Sequence, residues 1–169
     1  SAKPQIVVLN VAEEDYSGEK IPQILKKYSE EFGFAADSMV VICAKIESEL
    51  AELSDEDQVQ YLHDLGVEES GLSRLIKRAY GELGLISYLT CGEKEVRAWT
   101  VKKGSSAPEA AGEIHTDFIK NFIKAEVVSF DEFVSLGGWK AARAAGKARM
   151  EGKDYIVADG DVIEFKIGR

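Results

Sequence analysis

Two short stretches carry the residues best suited to chemistry. Asn10-Val11-Ala12-Glu13 follows the apolar run Gln5 to Leu9, and Cys43-Ala44-Lys45 closes a second run that begins at Ser38. In an open α/β sheet, ligands bind outside the carboxyl ends of the strands. An asparagine there offers a donor and an acceptor on one amide, a match for the N6 and N7 edge of adenine. A carboxylate three residues on can accept from an exocyclic amine. Each stretch alone also has an ordinary reading. The first is then a polar turn after a strand, and the second a strand-to-helix turn with Cys43 buried as a small hydrophobe. Two such loops in order, at the ends of successive strands, make the stronger case. They outline a base-reading corner built from Asn10, Val11, Glu13, Cys43, Ala44 and Lys45.

Lys140, Arg143 and Lys147 recur at spacings of three and four, so on a helix they form one stripe. Lys120 and Lys124 add charge nearby in sequence. Such a stripe is either a solvated face or a surface for RNA phosphates. His115 stands in His-Thr-Asp, a combination that invites acid–base chemistry. No Ser or Cys nucleophile can be placed beside it, so a capping or packing role is expected. His63, within an acidic segment, reads as a surface residue. Trp99 falls in an expected strand and Trp139 in an expected helix, and both read as core or groove residues. There is no aromatic-interleaved basic motif of the RNA-recognition kind, and no sequence-specific DNA contact is expected.

The elements that must position these residues follow from periodicity. Gln5 to Leu9 and Ser38 to Cys43 are β-branched, apolar runs, expected as fully buried strands of a parallel sheet. Between them Ile21 to Phe32 is amphipathic, with Pro22 in its first turn and Gly33 as its stop. Residues 46–65 read as helical with a break near Ser54, which can cap a second helix. Ser70 can cap a third, running to about Leu83. Two strands make a small sheet, so further chain belonging to the same domain is expected. Past Gly84 the pattern changes. Val96 to Val101 alternates as a strand and Lys102-Lys103-Gly104 turns it. Residues 107–121 read as a helix, Phe122 to Ser129 as a strand, and Phe130 to Glu151 as helical with an interruption at Gly137-Gly138. Asp154 to Val157 and Val162 to Ile167 are the last extended pieces, joined by the turn Asp159-Gly160-Asp161.

Composition sets the outer bounds. Apolar residues make up 45 % of the 169 and charged residues 30 %, which is globular and not disordered. No apolar run approaches the roughly 18 residues a membrane helix needs, and no membrane partner is expected. Cys43 and Cys91 form no metal-ligand pattern, so no metal site is expected. With no signal segment at the start, two thiols point to a reduced, cytoplasmic setting. Residues 1–84 hold 8 Lys+Arg against 17 Asp+Glu, which leaves −9, whereas residues 85–169 hold 13 of each. An acidic first half repels phosphate backbones, so any contact with RNA falls to the second.

On these residues the chain resembles the YchF, or Obg-like, ATPase family. Asn10 to Glu13 is similar to that family's altered fourth nucleotide motif, N-x-x-E in place of the N-K-x-D of GTPases. Cys43-Ala44-Lys45-Ile46-Glu47 is similar to its fifth, whose Ala–Lys loop turns a backbone N–H to the base. Glu95 to Gly104, Ala110 to Phe118, Phe122 to Glu126 and Glu151 to Asp161 resemble successive parts of a TGS domain. The resemblance covers essentially the whole chain. It implies an α/β fold: residues 1–84 as the C-terminal part of a P-loop nucleotide-binding (G) domain, and residues 85–169 as a β-grasp-like TGS domain with an inserted helix near 131–150. It implies binding and slow hydrolysis of ATP, often in preference to GTP, with Mg²⁺ in the full-length parent. Asn10 and Glu13 would read the base and Ala44 would supply a backbone contact.

The chemistry fits that specificity. The Asp of N-K-x-D accepts from guanine N1 and N2, and adenine has no N–H at N1. A buried carboxylate left unpaired is costly, and the longer Glu13 relaxes the demand. Val11 replaces the GTPase Lys and changes the pocket wall. The chain departs from the family in lacking G-x-x-x-x-G-K-[ST], the loop that cradles phosphates and helps to hold Mg²⁺. Ser1-Ala2 reads as a vector remnant and the whole as a truncated piece with no nucleotide of its own bound. Two roles are expected of the parent. One is an ATPase docking on the ribosome or RNA through the TGS module and Lys140, Arg143, Lys147, Lys120 and Lys124. The other is a regulatory scaffold whose TGS sheet binds a protein. For want of a phosphate loop, this stretch alone is expected not to hydrolyse ATP, and phosphate release by the purified chain above a protein-free blank would contradict that.

Overall fold

The computed structural model describes residues 3–92 and 95–168, so Ser1-Ala2 lie outside the described residues. Mixed α/β structure is divided between two compact units, Ser1–Glu82 and Leu83–Arg169.

In the first unit Val7–Asn10 (β1) and Met39–Ile42 (β2) pair in parallel, from Val7 opposite Met39 to Asn10 opposite Ile42. Between them runs Lys20–Phe32 (α1), with Pro22 in its first turn. Gly33 ends it in the left-handed region at φ 73°, where only a residue without Cβ sits unstrained, and its N–H donates to the Ser29 carbonyl at 2.9 Å. After β2 come Ala44–Leu50 (α2), Asp55–Asp64 (α3) and Gly71–Leu83 (α4). The Ser54 hydroxyl accepts from the Asp57 N–H and the Ser70 hydroxyl from the Ser73 N–H, both as expected of caps.

Only one of the two strands is buried as expected. Met39, Val40 and Val41 are inside, whereas β1 alternates between half-buried and exposed, with Val8 41 % accessible. Among the described residues β1 has β2 as its single neighbour. Val41 instead packs with Tyr16, Cys43, Ile46, Leu50 and Val67, and Leu9, Ile21 and Ile24 close the cluster. Arg74 of α4 pins this core. It donates to the Val41 carbonyl at 3.0 Å, to the Tyr16 hydroxyl at 2.9 Å and to the Glu69 carbonyl at 3.0 Å.

The second unit is a five-stranded sheet in the order β4-β3-β7-β5-β6, formed by Leu85–Cys91 (β3), Val96–Lys102 (β4), Phe122–Ser129 (β5), Arg149–Glu151 (β6) and Asp161–Ile167 (β7). Its helices are Ala107–Ile114 (α5), Asp117–Asn121 (α6), Phe130–Leu136 (α7) and Trp139–Ala144 (α8). Side chains alternate across a strand, and here each parity meets a different helix layer. Tyr88, Ala125, Val127 and Ile163 pack with Ala107, Ala110 and Ala111 of α5. Val128 and Val162 pack with Phe133 of α7 and with Trp139 and Ala142 of α8.

Three expectations are corrected here. Leu85–Cys91 is a central strand that the sequence reading passed over, because it follows Gly84 with no loop between. The helix expected over 107–121 breaks at His115 and Thr116, where His115 Nδ1 accepts the Asp117 N–H at 3.2 Å. That is the capping role expected of His115. The helix expected from Phe130 to Glu151 ends at Ala144. Gly146, at φ 68°, turns the chain, and Arg149–Glu151 joins the sheet beside β5. Lys147 therefore leaves the helical stripe.

Glu126 interrupts the apolar layer under α8. It is 3 % accessible, and Arg143 meets it with two bonds, Nε to Oε1 at 2.7 Å and Nη2 to Oε2 at 2.8 Å. Arg143 also reaches Glu164 at 2.8 Å and lies over the Trp139 ring. The Arg143 hydrogen bonds hold the Glu126 carboxyl below its ordinary value of 4.5 against the opposing effect of burial. A carboxyl whose folded pKa is depressed contributes stability at pH values above its unfolded pKa, and this is lost as pH falls through the folded pKa. Arg143→Met strands the carboxylate, and about 2–4 kcal/mol of stability is expected to go at neutral pH, less than for a fully buried pair because Arg143 is itself half exposed. The loss should shrink as pH falls below about 4.5, where the carboxyl takes a proton. Urea unfolding from pH 7 to pH 3.5 measures it by fluorescence, since Trp99 and Trp139 both lie in this unit. A pH-independent difference would contradict the assignment.

Candidate functional site

Parallel pairing sets the geometry of the corner. Because Asn10 stands opposite Ile42, both strands end together and their loops leave on the same side. The Val11 N–H extends the ladder by one bond, to the Ile42 carbonyl at 2.9 Å. Asn10 Oδ1 then accepts the Ala44 N–H at 3.0 Å. A side chain 34 positions away thus meets the first turn of α2, where backbone N–H groups lack intrahelical partners. The amide is fixed with Nδ2 exposed, and among the described residues Nδ2 has no protein acceptor. Cys43 is buried at 2 % and anchors the second loop in the core, as expected of a small hydrophobe.

Glu13 opens a single 3₁₀ turn, Glu13–Asp15, after the first loop. Its Oε2 binds Lys45 Nζ, and Lys45 also lies 3.8 Å from Glu49 one helical turn on. The Glu49 Oε2 accepts from the Tyr61 hydroxyl of α3 at 2.8 Å. The bond to Glu13 is the main cause that raises the Lys45 pKa, so the ammonium stays charged at any physiological pH. Behind the loop Glu47 Oε1 accepts the Gly71 N–H at 2.7 Å and ties α2 to the start of α4. Gly71 is required there, because a Cβ would stand 2.9 Å from Ile42 Cγ2 and 3.1 Å from Ile42 Cα.

The six expected residues therefore meet at one corner. Asn10, Glu13, Ala44 and Lys45 are exposed, Val11 packs half-buried on the core, and Cys43 lies beneath. The Ala44 N–H, expected to face a base, is committed to Asn10. Glu49 and Tyr61 escaped the sequence reading. The i, i+4 spacing of Lys45 and Glu49 was a usable signal, but nothing in the sequence brings Tyr61 to Glu49. A cleft of about 410 Å³ lined by Ile21, Leu25, Val40, Arg74 and Arg78 involves none of the six.

The expected basic stripe is divided by the fold. Lys140 and Arg143 are on α8, but Lys147 lies beyond it and binds Glu132 at 2.8 Å. Arg143 serves Glu126 and Glu164. Lys120 is in the last turn of α6 and Lys124 is on β5, both exposed. His63 is exposed on α3. Trp99 Nε1 donates to the Thr90 hydroxyl and Trp139 Nε1 to the Cys91 carbonyl, so each indole is half-buried and anchored. Among the described residues no group of three or more His, Cys, Asp or Glu could hold a metal, and no helix is long and apolar enough to cross a membrane.

Comparison with known proteins shows the family. Residues 85–168 match the family model YchF-GTPase_C, described as a protein of unknown function (DUF933). The chain is 48 % identical over 166 residues to the ribosome-binding ATPase YchF of Bacillus subtilis (strain 168), covering 98 % of itself and 45 % of that protein. The chain belongs to the YchF family. It is 42 % identical to Obg-like ATPase 1 of Xenopus laevis, over 98 % of itself and 42 % of that relative. The solved structure of the Schizosaccharomyces pombe YchF GTPase superposes with a TM-score of 0.78 at 37 % identity, over 98 % of this chain and 44 % of that one. The chain thus spans less than half the length of the relatives it matches. If the Asn10 amide holds the YchF corner together, Asn10→Ala should speed solvent exchange of the Ala44 amide hydrogen. Exchange followed by NMR measures this, and an unchanged rate would mean that the loops are fixed by other contacts.

Proposed function

We propose that the first unit is the base-reading end of a nucleotide-binding domain, and that the second is a TGS domain through which the parent protein meets the ribosome. The observation that carries the first part is the Asn10 Oδ1 bond to the Ala44 N–H at 3.0 Å. It joins two loops at the carboxyl ends of parallel strands, where open α/β sheets take their ligands. The exposed Nδ2 suits purine N7. The residues in hand fit the base of a nucleotide and not its phosphates, for which the sequence supplies no glycine-rich loop. ATP or GTP with Mg²⁺ would be completed by the longer chain that relatives possess. Those relatives are called ribosome-binding ATPases, which favours ATP hydrolysis coupled to ribosome docking in the cytoplasm over the alternative, a scaffold for a protein partner.

The ion pairs of the second unit bear on which residues we propose for docking. With Arg143 and Lys147 occupied by Glu126, Glu164 and Glu132, the contact to ribosomal phosphates falls to Lys140, Lys120 and Lys124. Calorimetric titration of the natural full-length protein should give tighter binding for ATP than for GTP, and Asn10→Ala should weaken both by about tenfold or more, the worth of a hydrogen bond in a ligand site. Ribosome co-sedimentation should fall steeply with salt and flatten when Lys140, Lys120 and Lys124 are changed to Glu. Salt-insensitive binding would favour the protein scaffold.

A further inference from the structure

We propose that Lys45 is the residue that sets adenine above guanine, by holding one oxygen of Glu13 and so weakening the carboxylate as a two-oxygen acceptor for the base. This rests on the base-reading corner proposed above.

The argument starts from what Asn10 has left to offer. Its Oδ1 is bound to the Ala44 N–H, so the outward group is the Nδ2 donor. That donor meets purine N7, which adenine and guanine share. Asn10 therefore reads a purine without reading which one. The Ala44 N–H is taken by the same bond and discriminates nothing. Of the polar groups at the corner, Glu13 and Lys45 remain.

The two purines ask different things of a carboxylate. Guanine presents two adjacent donors, N1–H and N2–H, which a free carboxylate meets with both oxygens. Adenine presents one exocyclic amine, with a bare acceptor at N1. Glu13 Oε2 is bound by Lys45 Nζ, so Oε1 is the oxygen that keeps its full acceptor capacity, and any donor at Oε2 shares it with the ammonium. Oε1 satisfies the adenine amine, whereas the second guanine donor must compete with the ammonium for Oε2 and is poorly paired, a loss that desolvation in a site makes costly. Lys45 is itself kept in place from the other side. It lies between Glu13 and Glu49, and Glu49 is held by the Tyr61 hydroxyl at 2.8 Å. Glu49 and Tyr61 are positioning residues that never reach the base.

The test is the ratio of dissociation constants for Mg-GTP and Mg-ATP in the natural full-length protein, since the triphosphate and metal contributions cancel in a ratio. Lys45→Met frees Oε2, and the preference should move toward GTP by about tenfold, the worth of one hydrogen bond. Lys45→Arg, which keeps the charge and the bond, should hold the original ratio. Both members of the pair are solvent-exposed, so added salt should erode the wild-type preference and leave that of Lys45→Met flat. A ratio that stays put in Lys45→Met, or moves toward ATP, overturns the inference. If Asn10→Ala weakens both nucleotides while Lys45→Met leaves the ratio alone, the base corner stands and the role of Lys45 falls. Absence of nucleotide binding by the wild type would remove both.

Discussion

Four residues of parallel pairing, Val7 to Asn10 against Met39 to Ile42, govern the first unit. Parallel strands end at the same side of a sheet, so whatever follows them in sequence becomes adjacent in space. An antiparallel arrangement would have sent Glu13 and Lys45 to opposite ends. The pairing needs an anchor in the core, and Val41 with Cys43, Ile46 and Leu50 provides it on one side, while Arg74 clamps the Val41 carbonyl on the other. The polar corner can then be exposed without being loose. Its rigidity comes from buried neighbours one residue away, and the side chains themselves stay in water.

The second unit is governed by a different constraint, a sheet covered on both faces. Every inward position of β5 and β7 must then suit a helix, and the buried departures are Glu126 on β5 and Asp161 on β7. A lone buried carboxylate is expensive. Here Arg143 meets Glu126 with two bonds, and Glu164 and Lys166 extend the cluster toward the surface. The position of α8 is fixed by this demand as well as by packing, since the guanidinium must arrive from that helix with Trp139 beneath it. Tyr155 makes a half-buried contact with the other carboxylate. Its hydroxyl donates to Asp161 at 2.7 Å, and burial pushes its pKa up to about 12.

Much of this could be read from residue patterns, and the failures have physical causes. Gly33, Ser54 and Ser70 were legible as stops and caps because a cap is a local contract between neighbours in sequence. Phe122–Ser129 was legible from β-branched density. Leu85–Cys91 was not, since the helix passes into it through Gly84 alone, with no loop to set it apart. Residues 145–151 were misread as helix because Lys147 and Arg149 continue a charged pattern. A glycine at positive φ and pairing with a distant strand overrode it. Of the corner, Asn10, Glu13, Ala44 and Lys45 were legible by order along the chain. The bond between Asn10 and Ala44, and the path from Lys45 to Tyr61, are long-range contacts that sequence spacing does not encode.

Counting charges from sequence also misjudges what a surface offers. Residues 85–169 hold equal numbers of basic and acidic side chains, and the basic members looked available as one stripe. In the fold Arg143 is spent on Glu126, Lys147 on Glu132 and Lys166 on Glu164. A cation already neutralised at hydrogen-bond distance must give up that partner before it can meet a phosphate, so it contributes little to a salt-dependent contact. Lys140 has no such partner among the described residues. The same reasoning at the other corner turns occupancy into function. Lys45 attracts Glu13 whether or not a base is present, and a carboxylate with one oxygen taken is a different receptor from a free one. In one unit internal pairing removes groups from recognition, and in the other it shapes what is recognised.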